Sequence, residues 1–439
     1  MTSKKPPDDY KCLKNKLIKI INNDIYNNKN VFDTINNAID RTNKIVIKTY
    51  MLLRLWLLDK YNKNQDIPEI NESKLRTAFI SVIDRKGKKT SSNDKLFLNE
   101  LKELYDETIF GKLEDGTKLS TILAHSAKTM LVSIENNIKL NFINYLNRYI
   151  NGYFINLNKE QIKNIEFKKQ LYKEIKEIKN DLINNTKNCN AKYHEWLENN
   201  RLKIVPELSG NKILLTDLSI YPQKYIKHMI YISGELEKLN LKQFQFFPLQ
   251  TNTIPKHIYI DNKALIELFE DKVSEKNKIA DKLKEILWID IFKIYQKIKN
   301  YTFDYTIITD GFSTSIRFIS NNGLIKKKER INKMKLGKQK RESKLKDLSK
   351  ENKIILKNKL NEDKKNKKEN IKQNLKTKLQ ESKELNKNKT ESNSNTISNK
   401  VSYVEFPYID DINIDNLKGN HIFIDPGKNR QGDEGADKL

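Results

Sequence analysis

The sequence predicts an α+β fold, and three observations carry the prediction. From Lys11 to about Asn200, apolar residues recur every three or four positions with few glycines or prolines, which is a helical pattern. From Arg201 to about Ile325, short alternating runs are broken by Pro206, Gly210, Pro222, Pro248 and Pro255, which is a strand-bearing pattern. From Lys326 to Lys400 the chain turns lysine-rich and sparsely apolar before strand character returns. The expected divisions are therefore 1–200, 201–325, 326–400 and 401–439.

In the first division the clearest segment is "LSTILAHSAKTMLVSIENNIKLNFINYLNRYI". Its residues Leu123, Ala127, Met130, Ile134, Ile138, Phe142, Tyr145 and Tyr149 form one stripe facing a core. In the second division "RLKIVPELSGNKILLTDLSIYP" reads as short β-prone pieces. "HIYI" alternates, and Asp261 is placed to cap a helix over "NKALIELF". An amphipathic helix carrying Trp288 is expected from about Ser274 to Asn300. In "YTFDYTIITDGFSTSIRFI", Tyr301, Phe303, Tyr305 and Ile307 alternate with polar residues. Asp310-Gly311 is a tight-turn dipeptide, so the stretch predicts a β-hairpin with Asp310 as a turn residue, not a catalyst.

The third division holds 26 Lys and Arg against 10 Asp and Glu, which is 16 of the chain's net charge of +26. It opens as a helix-permissive charged run and ends in a Ser/Asn/Thr linker, "NKTESNSNTISNK". Such a segment serves as a spacer, as an arm along a phosphate backbone, or as both. In the last division "VSYVEFPYID" and "GNHIFIDPGKN" are β-prone, and Asp425 sits where an apolar strand gives way to Pro426-Gly427.

The charge points to a polyanionic partner, above all nucleic acid. Two cysteines, Cys12 and Cys189, cannot build a zinc cluster by themselves, and His125, His194, His228, His257 and His421 show no HxxxH spacing. The N-terminus carries no apolar run behind its lysines, and the most apolar window, "YMLLRLWLLDKY", is too short and too charged to span a bilayer. A soluble intracellular protein is expected, with nucleus, viral factory and host cytoplasm not separable.

Four blocks in order, "IENNIKLNFINYLNRYIN", "FFPLQTNTIPKHIYIDNKAL", "FDYTIITDGFSTSIRF" and "HIFIDPGKN", together resemble the Fanzor/TnpB family of RNA-guided nucleases, in which the Fanzor proteins are eukaryotic and giant-virus relatives of the transposon-encoded TnpB nucleases. The likeness covers roughly residues 120–428, skipping the lysine-rich insert. It implies a helical recognition lobe (1–200), a β-barrel wedge domain (201–325), the charged insert (326–400), and the start of an RNase H-like RuvC domain (401–439). It implies guide RNA and DNA as partners, with base pairing reading the target.

In such enzymes Mg²⁺ ions held by several carboxylates clamp the scissile phosphate. Asp425 matches the first RuvC acid of the family's DPG motif, as both catalytic residue and metal ligand. The later Glu and Asp have no match. Glu434 and Asp437 lie in a polar tail and read as solvated. The expectation is a nuclease truncated near its first motif, cleavage-deficient by itself, with the remainder of the domain a candidate separate polypeptide. Two other readings stand beside it: a non-catalytic DNA/RNA-binding protein, and a structural protein with a long charged helix.

Overall fold

The computed structural model describes residues 9–346, apart from 23–24, 27, 85–93, 209–213, 250–255, 271–282 and 295–296, together with 362, 366 and 370. All of them fall in the first of the chain's two units, Met1–Thr377.

The chain opens with strand β1 (Tyr10–Lys16), a single turn α1 (Leu17–Ile20) and a two-residue pair, β2 (Ile25–Tyr26) and β3 (Lys29–Asn30). Long helix α2 (Val31–Asn62) follows, started by Asn30, whose side chain accepts from the Asp33 amide. Helices α3 (Glu72–Ser81), α4 (Lys95–Glu103) and α5 (Glu107–Phe110) come next, with Asn71, Asp94 and Asp106 capping them in the same way. Strand β4 (Ile83–Asp84), between α3 and α4, pairs in parallel with β5 (Glu114–Asp115), which follows α5.

Helix α6 (Ser120–Leu157) is the axis of the helical half. Its predicted stripe is buried at Leu123, Ala127, Met130, Ile134, Ile138, Phe142 and Tyr149, and Tyr145 stacks on Phe244. It packs on α2, α3 and α7 (Ile165–Asn184), and on α10 (Ile226–Lys238). The core is one continuous cluster that runs from these helices into the sheet.

The described parts of the 201–222 stretch carry helix and irregular chain, and none of it is strand. Helix α8 (His194–Ile204) ends there, and α9 (Leu214–Ile220) precedes a 3₁₀ turn over Pro222–Tyr225. Ile204, Leu214, Leu218 and Tyr225 are buried, with the last three near helical spacing. Tertiary burial thus overrides the β-propensity of the short runs.

Strand β6 (Ile258–Asp261) leads into α11 (Asn262–Phe269), and Asp261 caps it by accepting from the Ala264 amide at 2.9 Å. Helix α12 (Leu283–Ile291) carries the buried Trp288 but stops nine residues short of the expected Asn300. Beyond it the backbone pairs elsewhere: Phe292 bridges Ile21, and the Lys293 amide donates to the Ile20 carbonyl. The predicted hairpin is present as β7 (Tyr301–Thr309) and β8 (Ser313–Ser320), followed at once by α13 (Asn321–Lys346).

The main sheet has the order β1-β8-β7-β6, antiparallel throughout. Its edges, β1 and β6, lie at opposite ends, so among the described residues the expected β-barrel is instead an open four-stranded sheet. The reason is in part the origin of β1. It comes from the chain's first residues, where a helix was expected, and adds to the outer side of β8 in register from Tyr10↔Ile319 to Lys16↔Ser313. No helix among the described residues is long and apolar enough to cross a membrane.

Candidate nucleic-acid interface

The sheet has two unlike faces, as its period of two requires. Leu13, Ile316, Phe318, Ile307, Ile258 and Ile260 join the core cluster or pack against it. The register places Tyr10, Cys12, Lys14 and Lys16 of β1 beside Ser313, Ser315 and Arg317 of β8 on the other face. Those four β1 residues are exposed.

A bulge shapes the middle of this polar face. Phe303 pairs with Phe318 and Ile307 with Ile316, so Asp304, Tyr305 and Thr306 all stand opposite Arg317 alone. Tyr305 takes φ = +46°, a left-handed conformation that a bulky residue adopts only under constraint. Its hydroxyl donates to Glu285 Oε1 of α12 at 2.9 Å, and burial, with that carboxylate's help, pushes its pKa up to about 12.

The bulge turns Asp304 inward until its side chain is only 3% exposed, and two cations meet it. Arg317 Nη2 lies 2.7 Å from Oδ2, and Lys327 Nζ of α13 lies 2.5 Å from Oδ1. Arg317 Nη2 also donates to Thr306 Oγ1 at 3.0 Å, and its guanidinium carbon sits 5.3 Å from the Tyr10 ring centre. A buried carboxylate is tolerated because a charge-assisted hydrogen bond from Lys327 and the ion pair with Arg317 offset its lost hydration. One positive charge is left over at the surface.

The same contacts fasten α13. Lys326 Nζ reaches both Asp9 oxygens at 3.1 Å, and Gly323 lets the helix start lie close to β1: a Cβ there would stand 2.9 Å from the Asp9 carbonyl oxygen. Beyond its attachment, α13 runs out with Lys328, Arg330, Lys333, Lys335 and Lys340 exposed and making no ion pair among the described residues. The helix sequence holds eleven Lys and Arg against two Glu.

At the far end of the sheet, Asp310 is the turn residue that the sequence predicted. Its Oδ1 accepts from the Phe312 and Ser313 amides at 2.9 and 2.7 Å, and Oδ2 accepts from Ser313 Oγ at 3.0 Å. Burial would raise its pKa, but those amide hydrogen bonds outweigh it and hold the carboxyl below its ordinary value. Gly311 takes φ = +94°, and a Cβ there would run into Asn36 Oδ1. His257 Nε2 lies 3.5 Å from Asp310 Oδ2.

The described histidines are dispersed. His125 pairs with Asp261 at 2.9 Å, while His194 and His228 bond to the Cys189 and Lys203 carbonyls. Cys12 is exposed and Cys189 buried. Among the described residues no three His, Cys, Asp or Glu gather to hold a metal. A cavity of about 40 Å³ between α2, α6 and β6 is lined by Thr42, Tyr50, Ser133 and His257; it has room for water but not for a nucleotide. Asp425, Glu434, Asp437 and His421 lie outside the described residues.

Sequence reasoning missed Asp304, Arg317 and Lys327 as a cluster. Asp304 occupies an ordinary polar position in "YTFDYTIIT", and nothing local marks the two extra residues of the bulge.

Residues 258–320 match the model of a family described as "Domain of unknown function (DUF8286)". The match begins at β6 and ends at β8, so Asp304, Arg317 and the hairpin tip fall inside it, while Tyr10 and Lys327 fall outside. No curated protein matches the chain.

Proposed function

We propose that this chain is a nucleic-acid-binding protein of the Fanzor/TnpB type, an RNA-guided DNA endonuclease relative, with α13 and the polar sheet face against the phosphate backbone. The observation that carries the reading is α13: a basic helix anchored at its start and exposed beyond it. A helix of this kind buries too little to be part of the core, and its charge density favours a polyanion through counterion release. Three of the sheet's four strands fall in 201–325, the stretch that the resemblance assigns to a wedge, and guide RNA and DNA are the proposed partners. The resemblance assigns Mg²⁺ to Asp425, and the binding proposal does not depend on that residue.

Affinity for duplex DNA and for RNA, measured from low to moderate salt, tests this. The chain should show a steep fall of log affinity with log salt. Replacing Lys328, Arg330, Lys333, Lys335 and Lys340 by Gln should flatten the slope by about 0.9 for each duplex phosphate that is no longer neutralised. A slope that the five replacements leave unchanged would remove α13 from the interface, and no binding at all would end the proposal.

A further inference from the structure

We propose that Phe312, at the hairpin tip, is a stacking platform for an unpaired nucleobase, an inference that rests on the nucleic-acid reading above. Phe312 is 70% exposed, whereas every other phenylalanine among the described residues is buried or half-buried. A single exposed aliphatic side chain needs no explanation. This ring differs because it is aromatic and is carried on a backbone that is tied down on both sides. Its amide donates to Asp310 Oδ1 at 2.9 Å, and its carbonyl accepts from the Leu17 amide at 2.8 Å. These bonds fix the Phe312 backbone in the Asp310 turn, at a position from which the side chain projects to solvent.

The surroundings select the ligand. Lys16 Nζ lies 5.4 Å from the ring centre, against one side of it. Lys16 belongs to the polar face of β1, so Phe312 adjoins that face. Along it come Lys14 and Arg317, and then Tyr10, 44% exposed with Arg317 against its ring. Phe312 and Tyr10 thus bracket a cationic strip about 20 Å long, taking about 3.3 Å for each of the six steps from Lys16 to Tyr10. The strip's one buried carboxylate, Asp304, is already neutralised by Arg317 and Lys327. An apolar protein partner would have to desolvate these cations, whereas a single strand brings both parts that the strip accepts: phosphates for the lysines and flat bases for the rings. A duplex keeps its bases stacked inside and offers nothing to the ring.

The test uses the full chain and single-stranded DNA and RNA oligonucleotides carrying 2-aminopurine, whose fluorescence is quenched by stacking. The wild-type chain should quench the probe on binding. Phe312→Ala should abolish quenching and weaken single-strand affinity about tenfold, within the range expected for removing one base–aromatic stack. Phe312→Trp should retain both, and duplex affinity should be the same for all variants. Phe312→Leu separates stacking from apolar contact, and it should behave like Phe312→Ala. Thermal unfolding should be unmoved, because the ring buries little. If the wild-type chain binds and Phe312→Ala or Phe312→Leu binds and quenches equally well, the platform is wrong while the functional reading stands. If the wild-type chain binds no nucleic acid, both fall.

Discussion

Helices α6 and α13 are the two extremes of one secondary structure in this molecule. α6 runs for 38 residues and buries a stripe from Leu123 to Phe154 against six other helices, among them α2, α3, α7 and α10. α13 runs for 26 residues, and none of its described side chains beyond Gly323 is buried. α6 is therefore held by apolar burial at roughly 25 cal/mol per Å² removed from water. α13 is held by its first turns, through Gly323, Lys326 and Lys327, and beyond them by the intrinsic preference of Lys, Arg, Leu and Met for helix. Most helical stability in proteins comes from packing an apolar face, and α13 has almost none to pack. The contrast teaches that one helix builds the fold and the other is presented by it.

Substitutions at the two helices should separate these modes. The largest effect is expected at Phe142, fully buried on α6 and edge-on to Tyr225 at 4.7 Å between ring centres. Phe142→Ala should cost about 3–5 kcal/mol in urea unfolding, because it leaves a cavity as well as losing transfer energy. A loss under about 1 kcal/mol would mean that the α6 interface repacks freely.

An intermediate effect is expected at the α13 anchor. Removing one partner of a fully buried ion pair costs about 3–5 kcal/mol. Here Arg317 and Lys327 are 30% and 35% exposed and partly rehydrate, so Asp304→Asn should cost about 2 kcal/mol. Hydrogen exchange of the α13 amides should quicken in the same variant, and unchanged exchange would show that the helix is held by something else. The smallest effect belongs to Lys326→Gln. Its Asp9 pair is exposed on both sides, so unfolding should shift by about 0.5 kcal/mol or less. A larger loss would move the anchor from Asp304 to Asp9.

The parts of this fold that were legible in the sequence are those whose cause is local. The α6 stripe, the Asp261 cap and the Asp310-Gly311 turn each follow from residues within a few positions of one another. Strand β1 was not legible, because "YKCLKNK" has little apolar character and becomes a strand only when β8 offers its free edge. The 201–222 stretch misled because burial of Leu214, Leu218 and Tyr225 decides its conformation, and that burial is set by distant helices. At the candidate site the basic helix was visible as composition. Asp304 was not, because its partners lie 13 and 23 positions away and meet it only across a bulge. Asp425 drew its meaning from resemblance to a family motif, and it lies outside the described residues.

The pairing of β1 with β8 also bears on how the molecule comes to be made. The two strands are about 300 residues apart, yet they are neighbours in one sheet. At ribosomal speeds of about 5–20 residues per second, β1 leaves the exit tunnel on the order of 15–60 s before its partner exists. The helices between them carry mostly local contacts and can assemble during that interval. A segment synthesised well before its partner is thus among the last to find its place, and the face that carries Tyr10, Lys14 and Lys16 is complete only after β8 has emerged.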